Sequence, residues 1–186
     1  MSKNLTALVE VALFAALAMV LSFIPDFMGW FNPSFGAIPL VLISLRRGSK
    51  YGLLAGLIWG LLHFVLGKVY YLSFAQVVIE YILAFLAMGL AGYLAPSFQR
   101  ALKEKGERTQ ALGLAFLAAI LAVFVRYLIH YIAGVIFWSS YAPEGMSAYW
   151  YSFTVNGTAG GLTLLVVLIV LGILVPTSPR FFLPNK

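Results

Sequence analysis

Hydrophobic residues occur along this chain in six stretches separated by short polar segments, and this pattern predicts six helices. The predicted helices cover residues 5–24, 34–45, 51–66, 74–94, 111–138 and 149–175. Apolar stretches of about 20 residues match the roughly 30 Å hydrocarbon thickness of a bilayer. The pattern therefore predicts an all-α integral membrane protein with six transmembrane helices, formed by residues 1–186 as a single domain.

The second predicted helix is exceptional because it is too short to cross about 30 Å of hydrocarbon, and it contains Pro39. A short helix with an irregular lead-in is tolerated at membrane depth only where protein or an aqueous cavity covers it. We therefore predict that the preceding segment, residues 26–35, folds over a cavity as a lid.

The composition supports a membrane protein and excludes several other classes. Only 10% of the 186 residues are charged, 62% are hydrophobic, and the mean hydropathy is +0.98. Soluble domains carry about 25% charged residues. The chain has no cysteine, which excludes disulfides and thiolate metal sites, and we predict neither a metal nor a cofactor. The sequence contains no phosphate-binding loop, zinc-protease motif or nucleophile elbow, so we predict that the chain is not an enzyme and does not hydrolyse ATP.

The distribution of basic residues predicts the orientation in the membrane. Ten lysines and arginines lie at the termini, in the turn between the second and third helices, or in the loop between the fourth and fifth. The opposite side carries only Lys68, and Arg126 lies inside a predicted helix. Because basic residues are concentrated in cytoplasmic loops, both termini are predicted to be cytoplasmic. The net charge of +6 is thus an orientation signal and does not indicate nucleic-acid binding.

The fifth predicted helix carries polar residues at regular intervals. Arg126, His130, Gly134 and Trp138 follow one another in steps of four. Each step turns about 400° around an α-helix, so these residues share one face. A charged residue within a membrane span is costly and indicates a binding or transport site.

Polar residues of three predicted helices lie at similar depths. At about 1.5 Å per residue, Glu80 lies roughly 9 Å below the outer surface, Asn156 roughly 10 Å, His130 roughly 12 Å and Arg126 roughly 18 Å. Tyr151 is nearer the surface. Because the polar residues of three helices lie at similar depths, we predict that they line one cavity that opens to the outside.

Each of these residues also has a purely structural interpretation. Glu80 and Arg126 could form a buried ion pair, Asn156 could bridge helices, and His130 could be a packing residue. Trp138 fits the aromatic belt at the membrane surface, and His63 is interpreted as another interfacial residue. Two other functions stay open at this point: an intramembrane enzyme with Glu80 and His130 as an acid–base pair, or a structural assembly subunit.

The chemistry of the predicted cavity indicates its ligand. A carboxylate close to aromatic faces favours flat rings with positive or amine character, through stacking and cation–π attraction. Carboxylate and asparagine together suit the hydrogen-bonding edge of an aminopyrimidine. The aromatic residues in question are Trp30, Tyr70, Tyr81, Trp138 and Tyr151.

Rows of small residues predict where helices approach closely. Gly52, Gly56 and Gly60 form a repeated G-x-x-x-G pattern in the third helix, which we interpret as packing within the protein. Ala12 and Ala16 of the first helix, widened by Ala15 and Ala18, form a smooth face. That face is predicted to be a docking surface for the helices of a partner.

Four sequence segments resemble one known family over nearly the whole chain. They are S-L-R-R-G at 44–48, the stretch 70–81 ending in E-Y, H-Y-I-A-G-V-I-F-W-S-S-Y-A from His130, and Y-S-F-T-V-N-G from Tyr151. The chain resembles the thiamine-specific substrate-binding subunit of bacterial energy-coupling factor transporters. The resemblance implies a six-helix protein of the bacterial cell membrane with an external thiamine pocket. It also implies as partners a transmembrane coupling subunit, for which Ala12 and Ala16 match the docking site, and two cytoplasmic ATPases.

The resemblance also implies roles for individual residues. Glu80 would hold the aminopyrimidine, with Tyr151, Asn156 and Arg126 nearby, while His130 and Trp138 would stack on the rings and Trp30 and Tyr70 would close the thiazolium end. Ser34 departs from the pattern, because some relatives have a glutamate there. The alternative within this class is a subunit for another flat vitamin or for a thiamine precursor such as a hydroxymethylpyrimidine.

Overall fold

The computed structural model describes residues 3–24, 32–104 and 107–184. Within these ranges the chain is all-α, as predicted, and contains no strand. Trp30 and most of the predicted lid lie outside the described residues. The helices are α1 (Lys3–Leu21), α2 (Ala37–Arg47), α3 (Ser49–Val65), α4 (Phe74–Lys103), α5 (Arg108–Phe137) and α6 (Ala148–Thr177), with short 3₁₀ turns at Ser139–Tyr141 and Pro179–Phe182.

In the part of the chain that the structure describes, four helices are long and apolar enough to cross a membrane: α1, α4, α5 and α6. By contrast, α2 has 11 residues and α3 has 17. At about 1.5 Å per residue, these two helices extend only about 16 and 25 Å.

The short helix α2 lies in the core of the bundle. Eight of its residues are buried, from Ala37 to Leu45 with the exception of Ile38. A helix that is apolar on all sides is stable only when neighbours surround it. The prediction that protein covers this helix is thus confirmed. It begins at Ala37, however, because residues 34–36 form an irregular lead-in.

Glycines bring the backbones of α3 and α4 into contact. A Cβ atom added to Gly60 would lie 2.0 Å from the carbonyl oxygen of Tyr81, and one added to Gly56 would lie 2.3 Å from that of Phe85. From the other side, a Cβ on Gly89 would lie 2.2 Å from the amide nitrogen of Leu53. The predicted role of the G-x-x-x-G pattern in packing within the protein is confirmed.

Helix α4 departs from regular α geometry in two places. Residues Val78–Leu83 form a π-helical turn, and Ala87–Leu94 form a 3₁₀ segment. Isolated π turns within α-helices occur frequently at functional sites, and this one carries Glu80. The helix also continues beyond the predicted end at residue 94, because Pro96 occupies the first turn of its last α-helical segment, where a missing N–H is tolerated.

An ionic cluster fastens α1 to α2 at one end of the bundle. Both oxygens of Glu10 accept hydrogen bonds from Arg46, at 2.8 Å, and from Arg47, at 2.6 and 2.7 Å. Arg46 also donates to the carbonyl oxygen of Phe181 and lies over its ring, 5.5 Å from the centroid. This cluster therefore connects α1, α2 and the C-terminal segment.

The alanine face of α1 is divided between interior and surface. Ala15 and Ala18 are fully buried, whereas Ala12 and Ala16 are exposed. The expectation that Ala15 and Ala18 widen the exposed patch is wrong, since both pack against the protein itself. The exposed part of this face consists of Ala12 and Ala16 between large apolar side chains such as Leu13 and Leu17.

Candidate ligand-binding site

A cavity of about 390 Å³ lies between α3, α4, α5 and α6. Its size falls within the range of about 300–1,000 Å³ that is typical of small-molecule sites. Its lining contains eight of the ten predicted ligand-binding residues: Tyr70, Glu80, Tyr81, Arg126, His130, Trp138, Tyr151 and Asn156. The predicted convergence of polar residues from α4, α5 and α6 in one cavity is therefore observed.

Glu80 is held in place by donors on two helices. The indole Nε1 of Trp138 donates to its Oε1 at 2.9 Å, and Nε2 of Gln76 donates to its Oε2. Gln76 is fully buried one turn earlier in α4, where its Oε1 accepts a hydrogen bond from the backbone of Leu72 at 3.2 Å. A carboxylate offers about four acceptor positions, so Glu80 retains acceptor capacity for a ligand.

The four-residue repeat of α5 lines the cavity as predicted. Arg126, His130, Gly134 and Trp138 are all part of its wall. The suggested ion pair between Arg126 and Glu80 is absent, since both salt bridges found in the described ranges involve Glu10. The carboxylate and the guanidinium thus belong to separate parts of the wall.

Helix α6 is set against α5 by close contact at Gly134. A Cβ on Gly134 would lie 2.2 Å from Oγ of Ser152. Ser152 in turn donates to the carbonyl oxygen of Tyr131 at 2.7 Å, and Nδ2 of Asn156 donates to Ser152 Oγ at 3.2 Å. The amide group of Asn156 is therefore oriented by Ser152.

Aromatic rings form most of the remaining wall. The rings of Tyr70 and Trp138 meet edge to face with centroids 5.8 Å apart. The hydroxyl of Tyr81 accepts a hydrogen bond from the backbone N–H of Tyr70 at 2.9 Å, which fixes the loop between α3 and α4 to the π turn. Tyr81 stacks on Phe85 at 6.0 Å. The cavity thus combines one carboxylate with several aromatic faces.

Ser34 lies in a second, smaller cavity on the other side of Arg126. This cavity has a volume of about 200 Å³ and shares His63 and Arg126 with the first one. Nη1 of Arg126 donates to Oγ of Ser34 at 3.1 Å. The backbone N–H of Ser34 donates to Oγ1 of Thr163 at 2.8 Å, which attaches the lead-in of α2 to α6. Ser34 is thus adjacent to the main cavity and does not line it.

Several lining residues were not predicted from the sequence. The interfacial interpretation of His63 is wrong: the residue is only 8% exposed, its Nδ1 donates to the carbonyl oxygen of Trp59 at 2.9 Å, and it lines both cavities. Lys68, interpreted only as an orientation signal, lies in the wall of the main cavity. The other unpredicted lining residues are Phe85, Ser152 and Val155.

These features define a helical membrane protein with a cavity of small-molecule size that combines a carboxylate with aromatic faces. Within the described ranges, no cluster of three or more metal-ligating side chains is present. Comparison with known proteins assigns the family: residues 8–183 match the model of the thiamine transporter protein family (Thia_YuaJ), and the chain belongs to it. This is a transport family, and the prediction that the chain is not an enzyme is confirmed.

Individual relatives are similar over their full length. The chain is 37% identical to the thiamine transporter ThiT of Lacticaseibacillus paracasei over 185 residues, which is 97% of this chain and 92% of the relative. It is 34% identical to ThiT of Bacillus subtilis over 194 residues, covering 100% of this chain and 98% of the relative. A solved structure of ThiT from Listeria monocytogenes superimposes with a TM-score of 0.93 at 43% identity, covering 98% of this chain and 100% of that one.

Proposed function

We propose that this chain is the thiamine-binding membrane subunit of an energy-coupling factor transporter. The single observation that carries the proposal is the position of Glu80, which Gln76 and Trp138 hold at the wall of an aromatic cavity. Thiamine carries an aminopyrimidine that donates hydrogen bonds and a cationic thiazolium ring. A fixed carboxylate suits the first group, and aromatic faces attract the second by about 0.5–2 kcal/mol per contact.

The family membership and the cavity lining support specific roles. Glu80 would bind the aminopyrimidine, and Asn156 and Tyr151 would complete its polar surroundings. His130 and Trp138 would stack on the rings, while Tyr70 and Trp30 would close the thiazolium end. Arg126 would lie next to the bound ligand, with Ser34 beyond it.

The proposal also includes how the subunit sits and works in the membrane. Six spans in a single domain, with both termini in the cytoplasm of a bacterial cell, agree with the distribution of basic residues. Transport would require a separate coupling subunit and two ATPases, because the sequence contains no phosphate-binding loop. The exposed positions of Ala12 and Ala16 support the predicted docking surface for that coupling subunit.

The deciding experiment measures thiamine binding to the purified full-length chain by isothermal titration calorimetry. Wild type is expected to bind one thiamine. Glu80→Gln should lose about 10–100-fold in affinity, because a charge-assisted hydrogen bond is replaced by a neutral one. Glu144→Gln removes an exposed carboxylate outside the cavity and serves as the matched control. Equal affinity of wild type, Glu80→Gln and Trp138→Ala would refute the site.

A second ligand of the same kind is a hydroxymethylpyrimidine, because it offers the same edge to Glu80 and Asn156. It lacks the thiazolium ring and would leave the faces of Tyr70 and Trp138 unused. Competition between the two compounds in the same titration distinguishes these ligands. Thiamine should bind more tightly by at least about tenfold, corresponding to two or three lost aromatic contacts.

A further inference from the structure

Arg126 carries a buried charge that its protein surroundings satisfy only in part. The residue is 4% exposed, and its Nε is a buried donor that makes no hydrogen bond within the described residues. Its single hydrogen bond there joins Nη1 to Ser34. Among the described residues that line the small cavity beside it, none is a carboxylate. An unpaired charge in such a place is costly, because burial removes its hydration.

Aromatic rings supply part of the missing stabilisation. The guanidinium lies 4.7 Å from the ring centroids of both Trp59 and Phe85, and 5.5 Å from that of Tyr127. These contacts stabilise the positive charge. They leave the other N–H donors unsatisfied, however, because the ring faces offer no oxygen or nitrogen lone pair to accept them.

The small cavity beside Arg126 has the donors that an anion requires. Ser34 Oγ accepts from Arg126, so its own hydroxyl proton remains available as a donor. Lys68 adds a second positive charge nearby, because its Nζ donates to the carbonyl oxygen of Ser22, a residue that lines this cavity. Glu80, the acid of the main cavity, is not part of this lining.

We propose that the cavity between Arg126 and Ser34 is an anion site that binds a phosphate group. The guanidinium uses one of its five N–H donors on Ser34, and the donors left on its two terminal nitrogens, next to a hydroxyl, suit a tetrahedral oxyanion. The phosphate can come from two sources: inorganic phosphate bound beside a cationic ligand, or a phosphate ester arm of the ligand itself. Because Arg126 borders both cavities, an arm of a ligand in the main cavity could reach it.

The proposal is tested with the purified full chain in buffer free of phosphate and sulfate. The first arm measures orthophosphate binding by calorimetry at millimolar concentrations. The second arm measures the ratio of the dissociation constants of thiamine monophosphate and thiamine, and its choice of probe rests on the proposed function. Using the ratio removes any effect of a substitution on thiamine binding itself.

Arg126→Gln is expected to abolish orthophosphate binding or to raise the ratio about tenfold or more. Ser34→Glu should act in the same direction, because its carboxylate would pair with Arg126 and repel phosphate. Arg126→Lys should retain part of the phosphate binding, because it keeps the positive charge. Arg100→Gln removes an exposed charge and should change neither the orthophosphate affinity nor the ratio by more than about twofold.

Inorganic phosphate as the source is indicated if orthophosphate binds and thiamine binds beside it. A phosphate ester arm as the source is indicated if orthophosphate does not bind and Arg126→Gln changes only the ratio of the two dissociation constants. Arg126→Gln variants that lose thermal stability while both quantities match wild type would overturn the proposal and leave Arg126 a structural residue. Failure of thiamine and its monophosphate to bind wild type would refute the proposed function, and the orthophosphate arm would still decide the anion site.

Discussion

The indole Nε1 of Trp138 donates a hydrogen bond of 2.9 Å to Oε1 of Glu80, and this contact joins the C-terminal end of α5 to the N-terminal part of α4. The two residues are 58 positions apart in the sequence. The same indole faces Tyr70 edge to face, so one side chain both orients the carboxylate and forms part of the aromatic wall. The two halves of the proposed thiamine site are therefore coupled through Trp138.

This coupling predicts separate effects for two substitutions of Trp138. Trp138→Phe keeps an aromatic face and removes the donor to Glu80, and we expect a loss of about tenfold in thiamine affinity. Trp138→Ala removes both the aromatic face and the donor, and its loss of thiamine affinity should be larger. Calorimetric titration measures both constants, with Trp150→Phe as the control because that ring is 57% exposed outside the cavity. Equal affinities of the phenylalanine variant and wild type would show that the hydrogen bond does not orient Glu80 for binding.

Gln76 provides a second prediction, because it supports Glu80 and is not itself in the cavity wall. Gln76→Met has a similar volume and removes the donor to Oε2. We expect thiamine affinity to fall about three- to tenfold, since Glu80 would be held from one side only. Measurement by calorimetry is combined with a thermal melt. A lower melting temperature with unchanged affinity would contradict an orienting role for Gln76.

The glycines of α3 predict a stability effect that depends on position. Gly60→Ala places a Cβ 2.0 Å from the Tyr81 carbonyl oxygen, so α3 and α4 must separate. Overpacking of this kind costs about 1–3 kcal/mol, and the shift also displaces the π turn that carries Glu80. We expect a lower melting temperature in detergent together with weaker thiamine binding. Gly113→Ala, whose Cβ would meet nothing within 4 Å, is the matched control and should behave like wild type.

The local features of the site were predictable from the sequence because helical periodicity is local. Steps of four residues placed Arg126, His130, Gly134 and Trp138 on one face, and the structure confirms that all four line the cavity. Counting residues from the predicted helix ends was sufficient to bring α4, α5 and α6 together, since the membrane fixes depth along each helix.

Contacts between distant segments were not predictable in the same way. His63 was assigned to the surface because nothing in α3 indicates that Trp59 and Phe85 enclose it. The partner of Ser34 is Arg126, 92 residues away, and no local pattern reports that pairing. The π turn around Glu80 is another such case, because no local sequence pattern distinguishes it from regular α-helix.

The ionic cluster at Glu10 predicts a contribution to the stability of the bundle. Glu10→Gln would leave Arg46 and Arg47 partly buried without their carboxylate; their side chains are only 18% and 13% exposed. We expect a loss of about 1–3 kcal/mol, between the values for exposed and fully buried pairs. A thermal melt in detergent measures it, with the exposed Glu104→Gln as the charge-matched control. Identical melting temperatures for Glu10→Gln and Glu104→Gln would show that the cluster does not hold α1 to α2.

The exposed alanines of α1 provide a test of the proposed docking surface for a coupling subunit. Ala12 and Ala16 are small, exposed residues next to larger exposed apolar side chains, and small residues allow another helix to approach closely. Ala12→Trp would replace this small residue by a bulky one, so we expect the chain to bind thiamine normally while losing co-purification with the coupling subunit and ATPases. Leu165→Trp adds bulk at an exposed position of α6 and should keep the complex. If both tryptophan variants retain the complex and transport thiamine in vesicles, the docking surface lies elsewhere on the protein.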